Sequence, residues 1–238
     1  MNILNALKPT RRWFQYRLRT LLVFTALCGV AAKWVGDPII KVQRQARAVQ
    51  FIRAAGGRTY DCLGHCTVPT WMQGWFGIGP GFWISHVRFA EESGDADLAT
   101  LDDLPDLLFV IGCGSQVTDA GLEHLQGLRH LESVNLSKTR ITGAGLVFLN
   151  KLTNLKRLDL SHTHVTDAGL RYLQGLTNLT ELDLHGTQVT DAGLPYLKML
   201  ANLKDLDLYG TQVSFDGVKR LQQALPNCAV IGPADQAQ

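Results

Sequence analysis

The sequence predicts an α/β solenoid, with parallel strands on a concave face and short helices on a convex face, preceded by one N-terminal transmembrane helix. Three observations predict it: a hexapeptide that returns every 24 residues, leucines that keep the same period, and an uncharged stretch behind a purely basic N-terminus. Length and composition agree. The 238 residues have room for one domain plus an appended segment, 46% of them are hydrophobic, and a net charge of +2 gives no global field for nucleic acid.

Residues 1–17 form a basic segment. Lys8, Arg11, Arg12 and Arg17, with Arg19 just beyond, stand there without an acid. Thr20 to Ala32 is uncharged, and as a helix it spans about 20 Å. Extended to Leu18–Val35 it reaches about 27 Å, close to the hydrocarbon thickness of a bilayer, with Arg19 and Lys33 snorkelling to the two interfaces. Trp13, Phe14, Tyr16 and Trp34 sit where interfacial aromatics are favoured. Residues 18–35 therefore read as a retained signal anchor. A cleaved secretory signal, with Gly29, Ala31 and Ala32 near the cut, and a buried soluble helix are the alternatives. The basic N-terminus predicts a single-pass topology with residues 1–17 cytoplasmic and the repeats extracytoplasmic. Lys33, Lys41, Arg44 and Arg47 on the far side oppose that orientation.

Residues 36–83 read as an amphipathic helix and an N-terminal cap. Val42, Ala46, Val49 and Ile52 recur at spacings of four and three, Gly56-Gly57 ends the helix, and Arg58-Thr59-Tyr60-Asp61 suits a short strand. Thr67 to Trp83, with Trp71, Trp75, Phe76 and Trp83, is either a hydrophobic cover for the first repeat or a membrane-interface or ligand loop. Cys62 and Cys66 flank His65, but no second pair at zinc spacing follows, so no metal is expected. A Cys62–Cys66 disulfide and two buried thiols both stay open.

The repeats occupy residues 84–230, leaving 231–238 as a tail. Val117-Thr118-Asp119-Ala120-Gly121-Leu122 returns as Ile-Thr-Gly-Ala-Gly-Leu at Ile141, unchanged at Val165 and Val189, and degraded at Val213. Leu107, Leu131, Leu155, Leu179 and Leu203 open successive units. Apolar residues three and five positions on, such as Leu158 and Leu160, make a short strand. Leu170, Leu173 and Leu176, spaced by three, suit a short helix or 3₁₀ turns. Ile84, Val87 and Phe89 make an earlier strand one residue out of phase, and the segment from Pro226 to Val230 a closing one, in a unit that Pro226 lengthens by one residue.

One unit cannot bury its leucines alone, whereas stacked units share a core. Thr118, Thr142, Thr166 and Thr190 stand at helix N-caps, and Asp119, Asp167 and Asp191 follow where a helix dipole favours an acid. Gly121, Gly145, Gly169 and Gly193 permit close backbone approach, and Thr139, Thr163, Thr187 and Thr211 are placed to satisfy turn backbone groups. The pattern Leu-x-x-Leu-x-Leu-x-x-Thr-x-Val-Thr-Asp-Ala-Gly-Leu resembles the cysteine-containing type of leucine-rich repeat, with Thr where that type often has Cys and a length of 24 residues. With its Arg-Trp-Phe-Gln-Tyr-Arg-Leu-Arg-Thr-Leu-Leu start and Gly-Gly cap, the chain resembles bacterial membrane-anchored leucine-rich-repeat proteins. That resemblance implies a recognition role with a protein partner.

Outward strand residues form columns about 4.8 Å apart. One reads Ile111, Asn135, Asp159, Asp183, Asp207; its neighbour Phe109, Ser133, Arg157, Glu181, Asp205. Beyond the strands come Ser137, Ser161, His185 and Tyr209, and a further polar set holds Lys156, His162 and Lys204. Asn135, Arg157, Asp159, His162, Glu181, Asp183, His185, Asp205, Asp207 and Tyr209 are the candidate partner-binding residues. The acids make a recognition strip for a basic peptide or cation, or a solvated face whose Asp shapes the repeat turn. Lys156, Arg157 and Lys204 are expected to offset their mutual repulsion. No nucleophile and base stand together, and no phosphate-binding or dinucleotide motif occurs, so neither catalysis nor a cofactor is expected. The reading is a membrane-tethered, non-catalytic protein-binding module with an unidentified partner. A structural or self-associating envelope protein and a soluble intracellular adaptor similar to the repeat proteins of ubiquitin ligases are the alternatives.

Overall fold

A computed structural model describes residues 43–61 and 84–233. The chain divides into two units, Met1–Gln45 and Ala46–Gln238, and the sheet and its core belong to the second. The anchor expected at residues 18–35, the Cys62/Cys66 pair and the Trp-rich stretch after it lie outside the described residues.

The second unit begins on a helix that runs to residue 54. Ala48 and Ile52 are its buried apolar residues; Val49 and Ala46 are only half-buried, so Ala48 rather than Ala46 holds the inward position. Gly56 ends the helix at φ +79°, its N–H donating to Arg53 O (3.1 Å) while Gly57 N–H donates to Ile52 O (2.8 Å). This is a Schellman closure, and the left-handed position suits glycine.

Among the described residues eight strands form one sheet in chain order: β1 Arg58–Asp61, β2 Ile84–Arg88, β3 Phe109–Ile111, β4 Ser133–Asn135, β5 Arg157–Asp159, β6 Glu181–Asp183, β7 Asp205–Asp207 and β8 Ala229–Ile231. β1 is antiparallel to β2 and covers the first edge; all later pairs are parallel. From β3 to β8 the register advances by one repeat per strand, as in Arg157↔Glu181 and Glu181↔Asp205. Between β2 and β3 it is one residue shorter, His86 facing Phe109. At the other end the register holds at Asp205↔Ala229. The last step is therefore 24 residues like those before it, and Pro226 does not lengthen the unit, contrary to expectation.

The returning segments are mostly single turns of 3₁₀ helix, such as Gly121–Leu125 and Gly145–Leu149; only the last, Phe215–Ala224, is a ten-residue α-helix. Three-residue leucine spacing matches the 3₁₀ period, which puts Leu146, Leu149 and Leu152 on one face. Those leucines and the strand residues Val134, Leu158, Leu182 and Leu206 belong to one continuous core with almost no exposure. Each buried leucine contributes about 1.5–3 kcal/mol.

Polar ladders run beside this core. Thr139, Thr163, Thr187 and Thr211 each donate a hydroxyl proton to the carbonyl three residues back, at 2.6–2.7 Å. Asn154, Asn178 and Asn202 donate Nδ2–H to carbonyls of the preceding repeat at 2.7–2.8 Å. Asp167 stands in a first helical turn as expected, and Asp95 does so after Gly94, but the carboxylates of this column make a further contact that the dipole reading did not include. Asp95, Asp119, Asp167 and Asp191 each reach forward to the next repeat. There they accept the backbone N–H and hydroxyl of Thr118, Thr142, Thr190 and Ser214, at 2.5–2.8 Å. Each carboxylate therefore staples one unit to the next. The glycines two positions after the Asp column leave it space: a Cβ on Gly145 would lie 2.5 Å from Asp119 Oδ1.

Candidate functional site

The outward residues of β4–β8 line an open groove of about 390 Å³. Its floor is the two predicted columns, Ser133, Arg157, Glu181, Asp205, Ala229 and Asn135, Asp159, Asp183, Asp207, Ile231, in register. Five carboxylates (Asp159, Glu181, Asp183, Asp205, Asp207) face one guanidinium, Arg157.

Local structure decides which carboxylate atoms are free. Asp159 Oδ1 accepts the Ser161 N–H and hydroxyl (3.0 and 2.7 Å), Asp183 Oδ1 the His185 N–H (2.8 Å), and Asp207 Oδ1 the Tyr209 N–H (2.8 Å). One oxygen of each thus shapes the turn after its strand. Asn135 fills the same place in β4, taking the Ser137 N–H at 3.1 Å. The second oxygens differ. Asp159 Oδ2 accepts Asn135 Nδ2–H at 2.7 Å. Asp183 Oδ2 and Asp207 Oδ2 have no hydrogen-bond partner among the described residues.

The expected charge compensation goes elsewhere. Arg157 Nε pairs with Glu181 Oε1 at 2.9 Å and Lys156 with Glu132 at 3.0 Å. Neither cation neutralises the aspartate column. Burial pushes the Asp183 carboxyl above the ordinary carboxylate range; Asp159 and Asp207 add to this, against the opposing His185 N–H.

Beside the aspartates runs a row of rings. His185 stacks on Tyr209 with centroids 5.3 Å apart and meets His162 edge-on at 4.7 Å. His162 does not share a face with Lys156 and Lys204, as its grouping with them predicted. Those lysines line a different groove with Glu132 and the asparagine ladder. His162 occupies a turn position at φ +55°, in line with Gly114, Lys138, Gly186 and Gly210, all left-handed. Its ring lies over Gly186, where a Cβ would fall 2.7 Å from Nδ1. At the opposite end of the sheet His86 stacks on Phe109 at 4.1 Å, and burial lowers its basicity.

Sequence reasoning missed three sets: the left-handed column, the asparagine ladder and the forward-reaching aspartates. All three recur every 24 residues, but only the asparagines keep one residue type at each step; the turn column mixes Gly with Lys138 and His162, and the forward reach of the aspartates is a cross-repeat contact. Among the described residues, no three His, Cys, Asp or Glu side chains gather in a way that could hold a metal ion, and no helix is long and apolar enough to cross a membrane.

Residues 119–189 match the family described as leucine rich repeat. No curated protein matches the sequence. Among solved structures, an internalin from Listeria monocytogenes is similar with a TM-score of 0.50 and 20% identity, over 59% of this chain and 38% of its own. An internalin C2 from the same organism gives 0.47 and 22%, over 65% and 75%. A leucine-rich-repeat protein from Leptospira interrogans gives 0.43 and 20%, over 56% and 38%. This chain thus spans well under half the length of the first of these. The likeness to it is one of fold: parallel strands and short helices stacked as a leucine-rich-repeat solenoid.

Proposed function

We propose that this leucine-rich-repeat chain is a membrane-tethered, non-catalytic module that binds a protein partner by a basic segment laid across the sheet groove. One observation carries the reading: the groove presents five carboxylates against a single arginine that is itself paired. Opposite charge on a partner relieves that excess and steers its approach. The free Oδ2 atoms of Asp183 and Asp207 are the acceptors such a partner would use, and Tyr209, half exposed beside them, offers a ring face for a lysine or arginine side chain. Tethering rests on the apolar stretch Leu18–Val35 and its basic flank. With residues 1–17 cytoplasmic, the groove works on the far side of the membrane.

The test is capture by the detergent-solubilised chain, with Asp183→Lys and Asp207→Lys as variants. Saturable capture of a basic partner, weakened at least tenfold by either change and by added salt, is expected. Capture insensitive to both changes would remove the groove from the function. A second reading, self-association, is favoured by one feature: β8 ends the sheet with an uncharged Ala229–Ile231 edge strand. Sedimentation that stays monomeric over a wide concentration range would dismiss it.

A further inference from the structure

We infer that the step between the repeats at Thr142 and Thr166 is a binding site for a carboxylate carried by a ligand. Four other steps of the stack hold an aspartate whose two oxygens take the N–H and hydroxyl of the next repeat's Thr or Ser. At this step the aspartate position is Gly143. The receiving residue, Thr166, keeps both donors, and neither has a hydrogen-bond partner among the described residues. Gly143 is buried here, whereas Thr166 keeps partial exposure. A pocket of about 250 Å³ lies over it, lined by Thr142, Gly143, His164, Thr166, Arg171 and Tyr172 among others.

The chemistry of the missing group is read from the sister steps, not from the short helix after Thr166. In them a planar carboxylate bridges the same two donors at 2.5–2.8 Å. The pocket adds a cation, Arg171, much as Arg220 lies 3.3 Å from Asp191 at one sister step. Arg171 lies over the Tyr172 ring at 4.7 Å from its centroid and donates to the Tyr172 hydroxyl at 2.7 Å. It makes no ion pair among the described residues. The ring fixes the guanidinium and leaves it donors for an arriving anion, and charge-assisted bonds of this kind are the strong ones. Gly143 and Gly169 meet backbone to backbone, a Cβ on Gly143 falling 2.8 Å from Gly169 Cα. A side chain at 143 is therefore disfavoured, and the step is built without an internal acid.

The test tracks the Thr166 amide by ¹⁵N NMR in the detergent-solubilised full chain, titrated with sodium acetate and with an N-acetylated, C-amidated tetrapeptide containing one aspartate, against sodium chloride as control. Saturable shifts of Thr166, absent with chloride, are expected. Response to both probes identifies a site for small carboxylates; response to the peptide alone identifies a site for a carboxylate side chain. Either supports the inference. Thr166→Val, nearly isosteric, is expected to abolish the response, and Arg171→Ala to weaken it about tenfold, the loss of one charge-assisted bond. No Thr166 shift with either probe, or shifts unchanged in both variants, would overturn it.

Discussion

Asp183 stands between Asp159 and Asp207, and its carboxyl is held above the ordinary range by burial and by those two neighbours. A carboxyl that holds its proton more tightly folded than unfolded lowers stability at neutral pH. That loss is recovered as pH falls through the raised folded value towards the unfolded one. Asp183→Asn keeps an oxygen for the His185 N–H and removes the charge. It is expected to melt higher than wild type at pH 7 by calorimetry, with the gap closing towards about pH 4. Equal melting temperatures at neutral pH would mean that the column carries no like-charge penalty. If the groove binds a basic partner, the same variant binds it more weakly, so stability and binding move in opposite directions. The column itself was legible, because period 24 puts Asp159, Asp183 and Asp207 in register. Its neutralisation was not. Arg157 sits next to the column in sequence, yet its guanidinium turns to Glu181, a choice of rotamer that no spacing encodes.

Each repeat is joined to the next by a strand ladder, a packed leucine layer and, at most steps, an aspartate staple. Gly145 shows how these depend on one another. A methyl there meets Asp119 Oδ1 at 2.5 Å and Leu122 Cδ1 at 2.9 Å, while the local backbone is ordinary enough for alanine. Gly145→Ala is expected to cost about 1–3 kcal/mol by overpacking and by loss of the staple to Thr142. Ala144→Gly, one residue earlier and exposed, should cost about 1 kcal/mol or less. Urea denaturation measures both, and a Gly145→Ala loss no larger than that of Ala144→Gly would deny the close approach any role. The need for glycine was legible from its period, but not what it makes room for, because the aspartate lies 26 residues earlier in the chain. The turn column was less legible still. Gly114, Gly186 and Gly210 signal a left-handed backbone, whereas Lys138 and His162 adopt it without the residue that announces it. The helix before Gly56-Gly57 ended where that pair predicts, since a Schellman closure is specified by its own two residues.

A stack in which each unit touches only its neighbours has stability that is local and an end that must be sealed. At the C-terminal end the seal is the helix Phe215–Ala224, which buries Val218 and Leu221, and with Leu225 and Cys228 these belong to the same buried core as Leu200 and Leu203. Its anchor is Ser214, which accepts the Gly217 N–H while donating to Asp191. The Ser214 hydroxyl and backbone N–H, both donating to Asp191, hold its carboxyl below the ordinary range, with Arg220 nearby adding to the effect. This whole-molecule logic was legible early, because a degraded final repeat is what a solenoid end requires. Deleting residues 213–238 removes helix, seal and β8 together, uncovering a leucine layer that no remaining residue can reach. The truncated chain is expected to bind a hydrophobic dye and aggregate on warming. Hydrogen exchange should accelerate first in β7 and in Leu194–Leu197, while amides of β4 keep their protection, because damage propagates one interface at a time. A truncation that stays monomeric and melts in one cooperative step would mean that the layer beneath the helix is sealed by the repeats themselves.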